Sequence, residues 1–121
     1  MLSNIYWSLG IKQAEVEKGA FNSALVVGAF LADGKQIGYA RVISDKTRFA
    51  YITDVIVHND YRKNGIGKMM IKEILDSKEL TDVYQWLLIT KDAHELYRKY
   101  GFSEIKRPND WMEIWNKRPN R

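Results

Sequence analysis

Residues 55–68 read VIVHNDYRKNGIGK, an apolar β-branched run followed by a loop with two glycines and three cations. A helix is predicted to begin directly after this loop, because apolar residues recur there along one helical face. These residues are Ile66, Met70, Ile71, Ile74 and Leu75. A helix start favours an anion, and glycine at 65 and 67 permits positive φ and a close approach of phosphate oxygens. The stretch therefore predicts a loop that binds a pyrophosphate.

Other phosphate-binding loops fit these residues less well. A Walker loop needs Ser or Thr after its lysine, and here Met69 follows Lys68. A dinucleotide fingerprint needs a third glycine where this chain has Met70. Considered alone, the loop is equally compatible with a tight turn whose glycines only shape a strand-to-helix connection.

A short helix and three strands are predicted upstream of the loop. Residues 12–22 carry apolar residues among charged ones at helical spacing, which predicts a short surface helix. Residues 24–31 and 36–43 flank the turn Asp33-Gly34, which predicts a β-hairpin. Residues 49–57 are β-branched and aromatic, so a third antiparallel strand is expected in the middle of the sheet.

The chain downstream of the first amphipathic helix predicts a strand, a helix and two closing strands. Residues 84–90 form a strand that should lie parallel to strand 49–57, because a helix connects the two. Asp92 and Glu95 have capping-box spacing, and a short helix is expected from there to Gly101. Residues 102–105 and 111–115 are apolar enough to be closing strands.

Composition limits the class of protein. The chain has 121 residues, 45% apolar and 28% charged, which predicts a single globular domain over residues 1–121. It lacks a long apolar run and a secretory signal, so a cytoplasmic protein with no membrane partner is expected. No metal site is expected, because there is no cysteine and the two histidines lie far apart. The net charge of +4 suits polyanionic partners, phosphorylated cofactors among them.

Two segments of the chain together resemble one known family. Val55-Ile56-Val57 followed by Arg62-x-x-Gly65-x-Gly67 resembles the acyl-CoA-binding motif Q/R-x-x-G-x-G/A of GNAT N-acetyltransferases. Asp92-Ala93-x-x-Leu96-Tyr97-x-x-x-Gly101-Phe102 resembles the second cofactor element of that family. The chain is thereby identified as a small, single-domain, bacterial-type member. This implies an α/β (α+β) fold with a mixed, mostly antiparallel central sheet and helices on both faces, and the family's opening strand is expected to be absent.

The resemblance also assigns residues to the binding of acetyl-CoA. In the family, the strand before the phosphate loop splays from its neighbour, so that backbone amides hold the thioester and the pantetheine arm. Val55, Ile56 and Val57 occupy these positions. The loop residues that would hold the pyrophosphate are Arg62, Lys63, Asn64, Gly65, Ile66, Gly67 and Lys68. Asp92 and Tyr97 complete the implied cofactor site, with no metal.

Two residues are candidates for the catalytic chemistry. Tyr97 matches the tyrosine with which many relatives protonate the CoA thiolate, and its alternative role is that of a core aromatic residue. Relatives often carry the base on the strand before the loop. By alternation, the face of Val55 and Val57 offers only Tyr51 and Thr53, and Asp54 points to the other face.

Asp54 is the nearest carboxylate and so a candidate base, or equally a buried acid satisfied by the backbone or by a cationic partner. Glu17 is another candidate base, and a water chain could serve instead.

The expected function is the transfer of an acetyl group from acetyl-CoA to a primary amine by direct attack in a ternary complex. The acceptor would be a small molecule or a peptide. A non-catalytic CoA-binding sensor is the alternative, and nucleic-acid binding ranks below both, because the aromatics do not alternate with the cations. Near the N-terminus, Tyr6 and Trp7 would line the acceptor site or be covered by a partner subunit in a homodimer.

Overall fold

A computed structural model of the protein describes residues 13–117. Tyr6 and Trp7 lie outside these residues, so the expectations about the N-terminal segment stay predictions. The helices and strands are α1 (Gln13–Phe21), β1 (Leu25–Phe30), β2 (Gln36–Ser44), β3 (Phe49–Val57), α2 (Ile66–Leu75), β4 (Gln85–Leu88) and α3 (His94–Arg98). Their order confirms the prediction from the first helix through the third.

The chain divides into two compact units, and the boundary between them lies after Ile89. The first contains α1, α2 and all four strands, and the second contains α3 and the segment after it. A single domain over residues 1–121 stays a prediction.

The first unit is built on one four-stranded sheet with the order β1-β2-β3-β4. The first three strands are antiparallel neighbours, and β4 is parallel to β3, as predicted for strands that a helix connects. The β1–β2 turn is the predicted one, since the Lys35 N–H donates to Asp33 Oδ1 at 2.9 Å and Gly34 has a φ of 93°. The mixed, mostly antiparallel sheet is confirmed.

Helices α1 and α2 contact opposite faces of the sheet. A Cβ atom added to Gly38 in β2 would lie 3.1 Å from Met70 Sδ, so this side of the strand faces α2. Arg41 lies three residues further along β2 and therefore points to the other face, where it contacts α1 through the carbonyl of Gly19. The main core lies on the α2 side, where Ala40, Val42, Ala50, Ile52, Ile71 and Ile74 are at most 2% exposed.

The second unit begins with a helix whose start differs from the prediction. The capping box of Asp92 and Glu95 does not form, since α3 begins at His94 with no side-chain cap and the hydroxyl of Thr90 accepts the Ala93 N–H at 3.0 Å. The predicted end is confirmed. Gly101 adopts a φ of 97°, and the Phe102 N–H reaches back to the carbonyl of Tyr97 at 3.2 Å, which satisfies an orphan carbonyl of the helix.

The two closing strands predicted at residues 102–105 and 111–115 are wrong for the described chain. Neither segment is a strand, and a 3₁₀ turn, Pro108–Asp110, separates them. Residues 111–115 stay open to solvent, with Met112 96% exposed. A strand depends on a hydrogen-bonding neighbour, and among the described residues these segments have no ladder partner despite their apolar side chains.

Candidate active site

The connection from β3 to α2 folds back on the strand it leaves. Asn59–Tyr61 forms a 3₁₀ turn that His58 caps, its Nδ1 accepting the Asp60 N–H at 3.2 Å. Arg62 Nε then donates to the carbonyl of Val57 at 3.2 Å. This bond uses one of the five N–H donors of the guanidinium and holds the start of the predicted phosphate loop against the strand end.

The loop ends at Gly65, the N-cap residue of α2. Gly65 has a φ of 80° and makes no side-chain capping bond, and the first turn of α2 contains no acidic residue. The first backbone N–H groups of a helix have no acceptor within the helix, and its dipole is positive at this end. The geometry therefore suits an anion at the start of α2.

Glycine serves different purposes at positions 65 and 67. At position 65 there is room for a side chain, because an added Cβ would meet nothing within 4 Å. Glycine is therefore favoured there by the left-handed backbone conformation and not by a lack of space. Gly67 lies inside α2 and does not have a positive φ, so that part of the prediction is wrong. A Cβ at position 67 would meet only Val57 Cγ2, at 3.9 Å, so glycine leaves open surface beside the helix start.

The cations of the loop are exposed around this start. The side chains of Arg62, Lys63 and Lys68 all face solvent, and Lys63 adopts a φ of 70°. Opposite charge and free N–H groups are the two features that phosphate groups require. The loop residues named from the sequence are thus gathered at one helix end.

The ladder between β3 and β4 stops before β3 does. It runs from the Phe49–Gln85 pair to the Ile52–Leu88 pair, so the last five residues of β3 extend past it. His58 N–H donates to the carbonyl of Ile37 in the β2 direction at 2.7 Å, and by alternation the backbone of Ile56 also faces β2. The carbonyl of Val57 faces away from β2, toward Arg62.

A β-bulge interrupts the pairing of β2 and β3 within this region. Arg41 pairs with Thr53 and Tyr39 with Ile56, so Asp54 and Val55 together lie opposite Ala40. Gly38 pairs with Val57, which places Val57 on the α2 face. Because the bulge shifts the alternation, Thr53 and Tyr51 lie on the opposite face, and the prediction that they share a face with Val57 is wrong.

Asp54, the candidate base, is ion-paired. Its Oδ2 accepts from Arg41 Nε at 2.6 Å, and the two side chains are 19% and 20% exposed. Arg41 Nη1 also donates to Ser23 Oγ at 3.2 Å and to the carbonyl of Gly19 at 3.4 Å. Arg41 is thus a cationic partner of Asp54, as one of its two interpretations expects, and the role of Asp54 as a base stays a prediction. The sequence analysis did not predict Arg41 as the partner of Asp54. Its only signal in the sequence is that it is a charged residue in a strand whose core-facing side chains are apolar.

Tyr39 lies beside this ion pair, two residues before Arg41 on β2. Its hydroxyl is buried with no hydrogen-bond partner among residues 13–117. Burial raises the pKa of Tyr39, while Arg41 lowers it and Asp54 adds to the rise. The hydroxyl therefore stays protonated at neutral pH and can act as a donor.

Tyr97 and Asp92, the predicted residues of the second element, lie in the second unit. Tyr97 is 8% exposed, its ring packs edge-on against Phe102 at 5.8 Å between centroids, and burial raises its pKa above 10.0. Asp92 is exposed just before α3. The role of Tyr97 as a catalytic acid stays a prediction, and so does its role as a core aromatic residue.

Residues 13–117 contain neither a cluster of metal ligands nor a helix that could span a membrane. No group of three or more His, Asp or Glu side chains in this part of the chain is placed to hold a metal ion. Within the same residues, every helix is too short or too polar to cross a bilayer.

Comparison with known proteins identifies the family. Residues 25–104, about two thirds of the chain, match the family model described as the acetyltransferase (GNAT) domain. The chain belongs to the GNAT family. The matched range contains the loop, the bulge and Tyr97, whereas Glu17 lies before it.

Relatives and solved structures agree with the GNAT assignment. The chain is 30% identical over 92 residues to an uncharacterized N-acetyltransferase of Pyropia yezoensis, which covers 73% of this chain and 52% of the relative. The chain thus spans about half the length of the curated relatives it matches.

Two solved structures share the GNAT fold with this chain. A Xanthomonas campestris structure described as belonging to the GNAT family is 36% identical, with a TM-score of 0.89 over 95% of this chain and 80% of that one. A GNAT family acetyltransferase of Streptococcus pneumoniae is 28% identical, with a TM-score of 0.71 over 94% of this chain and 86% of that one.

Proposed function

We propose that this GNAT protein is an N-acetyltransferase that transfers an acetyl group from acetyl-CoA to a primary amine of a small molecule or peptide. The observation that supports this proposal best is the start of α2, where uncapped N–H groups, a left-handed Gly65 and exposed cations lie together. They lie next to the end of β3, which extends past its ladder with β4. A turn that only connected a strand to a helix would need none of these charges.

The residues of this region fit the phosphates of acetyl-CoA. Residues 62–68 would hold the pyrophosphate, and the open surface at Gly67 leaves room for its oxygens. Val55 and Val57 would offer backbone groups to the thioester and pantetheine, while the backbone of Ile56 faces β2 and its buried side chain would support the strand. Asp92 is retained as a proposed cofactor contact.

The chemistry proposed is direct transfer in a ternary complex. Acetyl-CoA supplies an activated acetyl group as a thioester, and the amine nitrogen bonds to the acetyl carbon as the carbon–sulfur bond breaks. Tyr97 gives its hydroxyl proton to the departing sulfur and regains one from solvent, while the nitrogen loses a proton to a base or to water. The raised pKa of Tyr97 keeps that proton available at neutral pH. A backbone donor aimed at the oxyanion is typically worth about 3 kcal/mol.

The base that takes the proton of the amine has three candidates. Asp54 is the candidate on β3, but its ion pair turns the carboxylate toward Arg41, which opposes that role. Glu17 lies on α1, and a water chain is the remaining alternative. Homodimer formation also stays a prediction.

The first test is calorimetric titration of acetyl-CoA. Saturable binding is expected for the wild type, and Arg62→Glu/Lys63→Glu should weaken it by about tenfold or more, because two phosphate-facing charges are reversed. The matched control is Lys78→Glu/Lys106→Glu, which makes the same change of charge at exposed positions outside the loop and should bind within about twofold of wild type.

Turnover separates an enzyme from a sensor. CoA release should be measured across a panel of polyamines, amino acids, aminoglycosides and peptides. Release with at least one amine is the expected result. Saturable acetyl-CoA binding without release from any of them would favour the non-catalytic sensor. Absence of binding, or equal binding by the loop and control variants, would overturn the proposed site.

A further inference from the structure

The guanidinium of Arg41 joins three elements of the first unit. It lies on β2, bonds the carboxylate of Asp54 on β3 at 2.6 Å, and bonds Gly19 and Ser23 at the end of α1. Ser23 Oγ in turn donates to the carbonyl of Gly19 at 2.7 Å. Arg41 therefore places a positive charge at the C-terminal end of α1, where the helix dipole favours it.

Asp54 occupies a backbone conformation that few side chains adopt. Its φ is 55°, in the left-handed region, and it is one of the two β3 residues opposite Ala40 in the bulge. Aspartate and asparagine tolerate this region better than other non-glycine residues. The short bond from Arg41 then holds the carboxylate, and with it the backbone of the bulge, in one orientation.

The bulge lies just beyond the last pair of the β3–β4 ladder, where β3 remains paired only with β2. The β3–β4 ladder ends at Ile52, the bulge follows at Asp54 and Val55, and after it Val57 lies on the α2 face beside the start of the phosphate loop. Without the extra residue, every later residue of β3 would turn to the other face. The direction of the strand end thus depends on the bulge.

We infer that Arg41 and Asp54 are a positioning pair that fixes the β3 bulge and fastens α1 to it, so that Asp54 acts through backbone geometry and is not the general base. This rests on the proposed function of the β3 end and the loop as the acetyl-CoA site. It assigns Arg41 a role in the reaction, and it leaves deprotonation of the amine to water or to a group other than Asp54.

Three substitutions of Asp54 separate backbone geometry from acid–base chemistry. Asp54→Asn tolerates the left-handed conformation and keeps an oxygen that can accept from Arg41, but it cannot act as a base. Asp54→Gly keeps the conformation without the ion pair. Asp54→Ala loses both. Positioning predicts kcat within about tenfold of wild type for Asn and Gly, and a loss of about 100-fold for Ala.

If Asp54 is instead the general base, the three variants should show a different pattern of activities. All three variants would then lose about 100-fold or more, and the acidic limb of the kcat/KM profile against pH would vanish. Loss of this size in Asp54→Asn would overturn the inference. If Asp54→Ala fails to fold, judged by thermal unfolding, the Asn and Gly variants still decide between the two roles.

Arg41 provides the independent test. Arg41→Met should lower kcat by about tenfold or more with little change in the shape of the pH profile, because it leaves Asp54 unpaired in the bulge. In Arg41→Met/Asp54→Gly the glycine no longer needs a partner, so the second substitution should recover part of the loss. Additive losses would contradict a shared positioning role.

The affinity of the Asp54 variants for acetyl-CoA tests the positioning pair independently of whether the protein acetylates an amine. The same ranking, with Asn and Gly above Ala, is expected in the calorimetric Kd. If the wild type acetylates no amine, the proposed function fails while this ranking still judges the inference. If the wild type is active and the three variants bind acetyl-CoA alike, the inference fails alone.

Discussion

Tyr97 is the residue on which the proposed proton transfer depends. We expect Tyr97→Phe to lower kcat by about 100-fold, in the usual range for a general acid, and to leave acetyl-CoA affinity nearly unchanged. Steady-state kinetics and titration measure the two quantities. Phe102, its ring neighbour, provides the control, since Phe102→Leu perturbs the packing and keeps the phenol. Equal losses in kcat for the two variants would indicate that Tyr97 is only a core residue.

The pH dependence of Tyr97 has a defined sign. Its pKa is raised in the folded protein, so the stability that this shift provides is complete below the ordinary value of 10.0 and is lost as pH rises through the folded value. The wild-type kcat should therefore show no alkaline fall due to Tyr97 below pH 10.0, and the stability gap between wild type and Tyr97→Phe should narrow only above it.

The sequence suggested candidate site residues, but it did not indicate which other residues they contact. The loop residues, Asp54 and Tyr97 were all named from motif and spacing. Arg41 was not, because its contact with Asp54 joins residues 13 positions apart across two strands. Tyr51 and Thr53 were assigned to the wrong face, because alternation carries no sign of a bulge.

The start of α2 is the element whose two glycines can be tested against each other. Gly65→Ala should destabilise the protein by about 1 kcal/mol, because alanine is strained at a φ of 80°. Gly67→Ala should stabilise it by about 0.5–1 kcal/mol, since position 67 is helical and the added Cβ meets only an ordinary contact. Chemical denaturation measures both changes.

At position 67, the affinity for acetyl-CoA should fall although the stability of the protein rises. Although Gly67→Ala strengthens the helix, its methyl group would occupy the surface proposed for phosphate oxygens, so acetyl-CoA should bind it about tenfold more weakly. Unchanged affinity in this stabilised variant would contradict a pyrophosphate at the helix start. Because stability and affinity move apart, damage to the fold cannot account for the expected result.

For the whole molecule, the net charge of +4 and the loop cations predict a salt-dependent response to acetyl-CoA. A ligand that binds only the folded state stabilises it by about 2.7 kcal/mol at a concentration 100 times its Kd. The melting temperature should therefore rise with acetyl-CoA at low salt and rise less at high salt. Acetyl-dephospho-CoA, with one phosphate fewer, is the matched ligand and should show a smaller salt effect. No shift with either ligand would contradict the proposal.

The amino-acid sequence by itself determined the helices and the four strands of this GNAT protein, and the site residues named from it stay predictions. Helical and strand periodicity, turn residues and the glycine-bearing loop are local signals, and they placed α1, α2 and the first four strands within one or two residues of their bounds. The tertiary structure alone decided the bulge, the Arg41–Asp54 pair and the absence of closing strands from the described chain. Each of these depends on which distant backbone lies alongside, and a pattern along one strand does not carry that information.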